Sequence, residues 1–127
     1  MIRPSPSAIL FIVVTIVFTV AGQLLVKKGM LEVGWSPTEL SSVPGFIWAA
    51  FTNLSVVSGL ACAVAGAVSW TMAVSRSPLS FAYPFMGLAI VLVLVLSGRL
   101  FGETVFVGRW IGVAIVCLGL AVAASSQ

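Results

Sequence analysis

Apolar residues gather into four long runs separated by polar breaks: Ala8 to Val26, about Val56 to Val74, Phe81 to Gly98, and about Val105 to Ala124. Each run is long enough to cross a hydrocarbon core of roughly 30 Å at about 1.5 Å per residue. Backbone groups in lipid must be satisfied within their own segment, so the runs predict helices. The period-two alternation of barrel strands is missing, and no Asp or Glu interrupts any run.

The breaks set the topology. Residues 29–48 form the longest, with Glu32, Glu39, Pro37, Pro44 and the interface-type aromatics Trp35 and Trp48. Within it, Ser36-Pro37-Thr38-Glu39 has the form of a helix start, with Ser36 as cap and Pro37 at the first position. Residues 75–80 and 99–104 are tight turns, which make neighbouring helices antiparallel. The predicted fold is an all-α membrane protein, a compact antiparallel bundle of four transmembrane helices in a single domain over residues 1–127. Arg3 ahead of an apolar stretch has the look of a secretory signal. The stretch is long enough to span and three more runs follow, so it reads as a retained helix.

Composition agrees. The chain has 127 residues, 61% hydrophobic and 7% charged, with a mean hydropathy of +1.24. A soluble domain carries about 25% charged residues. Net charge is +3 from six Lys or Arg against three Glu. These cations are dispersed, which fits contact with anionic membrane lipids and gives no support for nucleic-acid binding. Lys27, Lys28, Arg99 and Arg109 flank loops one and three, against Arg3 and Arg76 on the other side. The positive-inside rule then favours loops one and three in the cytoplasm and both termini outside. Cys62 and Cys117 lie inside apolar runs and read as small buried hydrophobes.

Candidate chemistry sits at the ends of the runs. Thr19, Gln23 and Lys27 recur every four residues and share a helical face. Lys27 reads either as a point charge for a phosphate or as a snorkelling residue that compensates the dipole at the helix end; Lys28 fits snorkelling. Pro84 opens the third run beside Tyr83, where a missing backbone donor loosens the helix or forms part of a gate. Tyr83 is an interfacial aromatic or a cavity-lining hydroxyl, and Trp70 carries an indole donor in need of a partner. Glu103 suits a cap at the start of the fourth helix; paired with Arg109 or a loop-one cation it becomes a gate. Small residues Gly59, Ala63 and Gly66 stripe the second helix, and Gly108, Gly112 and Gly119 the fourth. Such stripes let helices approach closely, within one subunit or across a dimer seam on the fourth helix. The chain has no His and no Asp, and no metal-ligand spacing or phosphate loop. Neither an enzyme nor a cofactor or metal is expected.

Taken together, these motifs resemble the small multidrug resistance branch of the drug/metabolite transporter (EamA-like) superfamily. Ala21-Gly22-Gln23-Leu24 followed by Lys27, Pro78 with Ala82-Tyr83-Pro84, and Glu103 with Arg109-Trp110 and Gly112-Val113 look most like its aminoarabinose-lipid flippase subunits. The drug exporters of that branch carry a membrane-embedded Glu three residues before the equivalent of Gly22. Here that position is Thr19, and a hydroxyl cannot exchange a proton for a cationic drug.

The resemblance implies a multi-pass protein of the bacterial inner membrane that flips a polyprenyl-phosphate-linked monosaccharide for envelope-glycan or lipopolysaccharide modification. It implies a homodimer, or a heterodimer with a similar small subunit. Lys27, with Lys28 or Arg109, would neutralise the phosphate; Gln23, Tyr83 and Thr19 would meet sugar hydroxyls. Two other classes are an exporter of small cationic or guanidinium-like metabolites, with Glu103 as its titrating group, and a non-transporting subunit that positions a glycosyltransferase.

Overall fold

The computed structural model describes residues 4–126. Helix α1 spans Pro6–Val33. Ser5 caps it by accepting from the Ala8 amide at 3.2 Å, and Pro6 fills a first-turn position that needs no amide donor. It ends at Gly34, whose φ of 74° is a left-handed conformation that favours glycine, with its amide donating to the Met30 carbonyl.

The first predicted boundary needs correction. The 28 residues of α1 make a rod of about 42 Å, longer than a core of about 30 Å. Lys27 and Lys28 thus lie within a continuing helix and not at its end, and the last turn holds no basic residue. Dipole compensation therefore does not account for either lysine. The interfacial helix also starts later than expected. Ser36 and Pro37 lie in irregular chain; after Glu39, whose backbone is extended, comes a 3-10 turn at Leu40–Ser42 and then α2, Val43–Thr52, with Pro44 in its first turn.

Asn53 breaks the chain between α2 and α3, Leu54–Val74. Its backbone is extended and its Oδ1 accepts from the Val56 amide at 3.1 Å. Helix α4 spans Leu79–Phe101 and continues through Pro84. Gly102, at a φ of 64°, turns the chain into an irregular stretch before α5, Val107–Ser125. The helices α1, α3, α4 and α5 are each long and apolar enough to cross a membrane.

Helix α1 is the centre of the packing. It lies along α3 and also contacts α4, whereas α3 and α4 touch little and α5 rests on α4 alone among the described elements. The two backbones come close at Gly22 and Gly59, where a Cβ on either would fall 2.8 Å from the other's carbonyl oxygen. Gly59 and Gly66 thus serve packing inside the subunit, as small residues do between membrane helices. The tightest core joins Ile12, Ile16 and Val20 of α1 to Ala73 of α3 and to Ala82 and Ala89 of α4. At that end Arg76 sits over the Phe11 ring, 5.0 Å from its centroid. Arg3, counted on the same side from the sequence, lies outside the described residues.

Candidate functional site

One helical face and the gap beside it define the candidate site. Because α3 and α4 barely meet, the α1 face bearing Thr19, Gln23 and Lys27 is left open between them. Four-residue spacing stacks these side chains one above the other, over about 12 Å of helix from Thr19 to Lys27.

Clefts flank this face. One, about 480 Å³, runs between α1 and α3 and is lined by Thr19, Gly22, Gln23, Val26, Lys27, Met30, Gly59 and Ala63. The other, about 400 Å³, joins Thr19 and Gln23 to Tyr83, Met86, Gly87 and Ile90 of α4 and to Val116 and Leu120 of α5. Both are largely apolar, with Thr19 and Gln23 as the shared polar ridge. Tyr83 stands at the far end, its ring edge-to-face with Trp70 at 5.3 Å. The polar track thus begins at Lys27, near the loop-one rim, and ends at Tyr83, near the opposite end of α4.

At the rim, Lys27 Nζ is 3.0 Å from Glu103 Oε1, and both side chains are part-exposed. The expectation that Glu103 caps the next helix is not met. Helix α5 starts at Val107 behind Phe106, with no side-chain cap hydrogen bond. Glu103 instead lies in the irregular stretch before it, too early to reach the free amides, and its carboxylate turns to Lys27. Among the described residues Arg109 makes no ion pair with Glu103; it lies exposed in the first turn of α5, away from the clefts.

Lys28 separates from Lys27. It borders a different cleft with Leu24, Leu25, Leu100 and Phe101, and its Nζ is 3.9 Å from Glu32 on the next turn. Glu32 in turn accepts from Asn53 Nδ2 at 2.9 Å and from Ser55 Oγ, which fastens the end of α1 to the start of α3. Pro84 faces α5, in a cleft with Phe85, Leu88, Cys117 and Leu120, and not the Thr19–Gln23 track. The structure therefore gathers Thr19, Gln23, Lys27 and Tyr83 and leaves Lys28, Arg109 and Pro84 apart. Gly108, Gly112 and Gly119 lie on a helix with no buried residue, and nothing comes within 4 Å of a Cβ placed on any of them.

Sequence reasoning missed a further wall. A cleft of about 690 Å³ beyond Lys27 is lined by Met30, Leu31, Gly34, Trp35, Ser36 and Phe46. Its signal was present in Gly34, a helix stop that folds the following residues back onto α1. Among the described residues no group of three or more His, Cys, Asp or Glu is placed to hold a metal ion.

Comparison with known proteins gives a consistent set of relatives. The chain is 35% identical over 112 residues to the probable 4-amino-4-deoxy-L-arabinose-phosphoundecaprenol flippase subunit ArnE of Serratia proteamaculans, covering 87% of this chain and 90% of that protein. It is 29% identical over 111 residues to the ArnE subunit of Aeromonas hydrophila, covering 87% and 91% of the two chains. The ArnF subunit of the same organism is 27% identical over 121 residues, or 91% and 80%. No family model matches the chain, and no solved structure matches it.

Proposed function

The chain belongs to the family of 4-amino-4-deoxy-L-arabinose-phosphoundecaprenol flippase subunits, and from that premise we propose that it moves a polyprenyl-phosphate-linked monosaccharide across the inner membrane. Its relatives are transport subunits, and its four apolar helices make it a multi-pass membrane protein.

The observation that carries the mechanism is the placement of Lys27 at one end of a largely apolar cleft that Thr19 and Gln23 also line. A charged headgroup costs several kcal/mol or more at the bilayer centre. A groove open to lipid lowers that barrier by admitting the phosphate and sugar while the prenyl tail remains among acyl chains. Lys27 is the phosphate partner. Gln23, Thr19 and Tyr83 supply hydrogen bonds to sugar hydroxyls along the track. With loops one and three in the cytoplasm, loading begins at the Lys27 rim. Without a carboxylate deep in the spans, movement follows the lipid gradient and the consumption of the sugar on the far side.

The subunit works in a pair. Similarity to both ArnE and ArnF supports a partner of the same small type, and the uncovered α5 offers a face for it. An exporter of small cations is less well supported. Its titrating group would be Glu103, which lies at the rim and is held by Lys27.

The test is flipping of a labelled polyprenyl-phosphate sugar in proteoliposomes. Lys27→Ala is expected to slow it at least about tenfold, the loss of a charge-assisted contact of about 1.5–3 kcal/mol. An unchanged rate would remove the phosphate role.

A further inference from the structure

Trp35 has the sequence signature of a membrane-interface anchor, but the fold gives it a different neighbourhood. The left-handed turn at Gly34 brings it back against the end of α1, where it walls the cleft of about 690 Å³ with Lys27, Ser36 and Phe46. The indole and the Phe46 ring meet nearly at right angles, 79° with centroids 5.5 Å apart, and form a fixed aromatic corner. The indole reaches the first turn of α2, in ordinary contact distance of Gly45, 3.9 Å from where a Cβ on that residue would stand. Trp35 is nonetheless 46% exposed. Trp48, at 74% exposure, shares none of these contacts and does fit an anchor.

Lys27 borders both this aromatic cleft and the apolar cleft along α3. We propose that the Trp35–Phe46 corner is the loading subsite for the sugar, on which the headgroup stacks while Lys27 holds the phosphate. The proposal rests on the phosphate reading of Lys27 given above. A phosphate at Lys27 has two substituents, and the two clefts diverge from it. The prenyl chain leaves the phosphate through the open side of the apolar one, beside Val26, into the surrounding lipid; the sugar starts in the aromatic one.

The chemistry matches. Sugar C–H groups carry partial positive charge and pack against the negative face of an aromatic ring. An amine on the sugar, protonated, adds a cation–π attraction, strongest for tryptophan. The volume lies within the range of about 300–1,000 Å³ usual for small-molecule sites. Gln23, Thr19 and Tyr83 then serve the later path across the membrane.

The experiment compares two lipids, undecaprenyl phosphate and the same lipid carrying the sugar, binding to the full chain in nanodiscs. Trp35→Leu is expected to weaken the sugar-bearing lipid about tenfold and to leave the bare lipid phosphate within about twofold, while Trp35→Phe keeps most of the affinity. Equal loss for both lipids, or none for the sugar-bearing one, overturns the proposal. A variant with Trp35 as its single tryptophan gives a readout that does not disturb the corner. Its emission should shift with the sugar-bearing lipid and not with the bare one, and an identical response to both also overturns it. Lys27→Ala in the same assay is expected to weaken both lipids. If it weakens neither, the phosphate reading fails, whatever Trp35 does.

Discussion

Lys27 Nζ and Glu103 Oε1 lie 3.0 Å apart and join the C-terminal part of α1 to the stretch between α4 and α5. Both side chains are part-exposed, 46% and 38%, so the pair contributes at most about 1 kcal/mol to stability. Its consequence is for binding. The cation that faces the cleft already has an anion, so on the proposed phosphate role of Lys27 an incoming phosphate would share or displace the carboxylate. On that reading Glu103 is a competitor for the lysine.

Glu103→Gln removes that competitor and keeps the shape. Affinity for undecaprenyl phosphate is expected to rise about two- to fivefold, the equivalent of up to about 1 kcal/mol, with little change in thermal stability. Titration of the purified variant with the lipid checks this. Weaker binding would mean that the carboxylate helps to hold the ligand.

Thr19 tests the polar track away from the rim. Thr19→Val removes a hydroxyl with little change in volume and should slow flipping about two- to tenfold, the worth of one hydrogen bond. Thr19→Glu should be far more damaging, because a carboxylate on the path repels the phosphate. Flipping rates in proteoliposomes distinguish these outcomes, and a wild-type rate for Thr19→Glu would take the track out of the mechanism.

Asn53 carries a structural prediction. Its Oδ1 caps α3 while its Nδ2 donates to Glu32 of α1, so one side chain fixes the helix start and its partner. Asn53→Ala is expected to lower stability by about 0.5–2 kcal/mol, read as a lower midpoint of thermal unfolding in detergent. Lipid affinity should be unchanged, since Asn53 lines none of the clefts around Lys27.

Much of this was legible from residue pattern. Uninterrupted apolar runs have one solution in lipid, so four helices followed directly, and four-residue spacing put Thr19, Gln23 and Lys27 on one face. Boundaries were less legible, because α1 continues to Val33, past the lysines that end the apolar run. Its true stop was signalled by Gly34, and that of the next break by Asn53. The separation of Lys28 from Lys27 followed from adjacency, since consecutive helical residues point about 100° apart. Long-range facts could not be decided locally: pairing of Glu103 with a loop-one cation stood beside a helix cap and an Arg109 pair, and the Trp35–Phe46 corner depends on how separate segments return to the end of α1.

The two glycine stripes, alike in sequence, predict opposite outcomes. Gly59 faces Gly22 at a distance that leaves no room for a side chain, so Gly59→Leu should push α1 and α3 apart and destabilise the subunit by about 1–3 kcal/mol or more. Gly112 faces open space on α5, a helix with no buried residue. Gly112→Leu should therefore leave the thermal stability of the isolated subunit unchanged. If α5 is the seam of the pair, the added bulk keeps the two backbones from close approach and abolishes association. Single-molecule photobleaching in liposomes counts the subunits: Gly112→Leu should shift the population from two steps to one. Two-step bleaching that persists would place the seam on another face, and the open gap between α3 and α4 would be the next to probe.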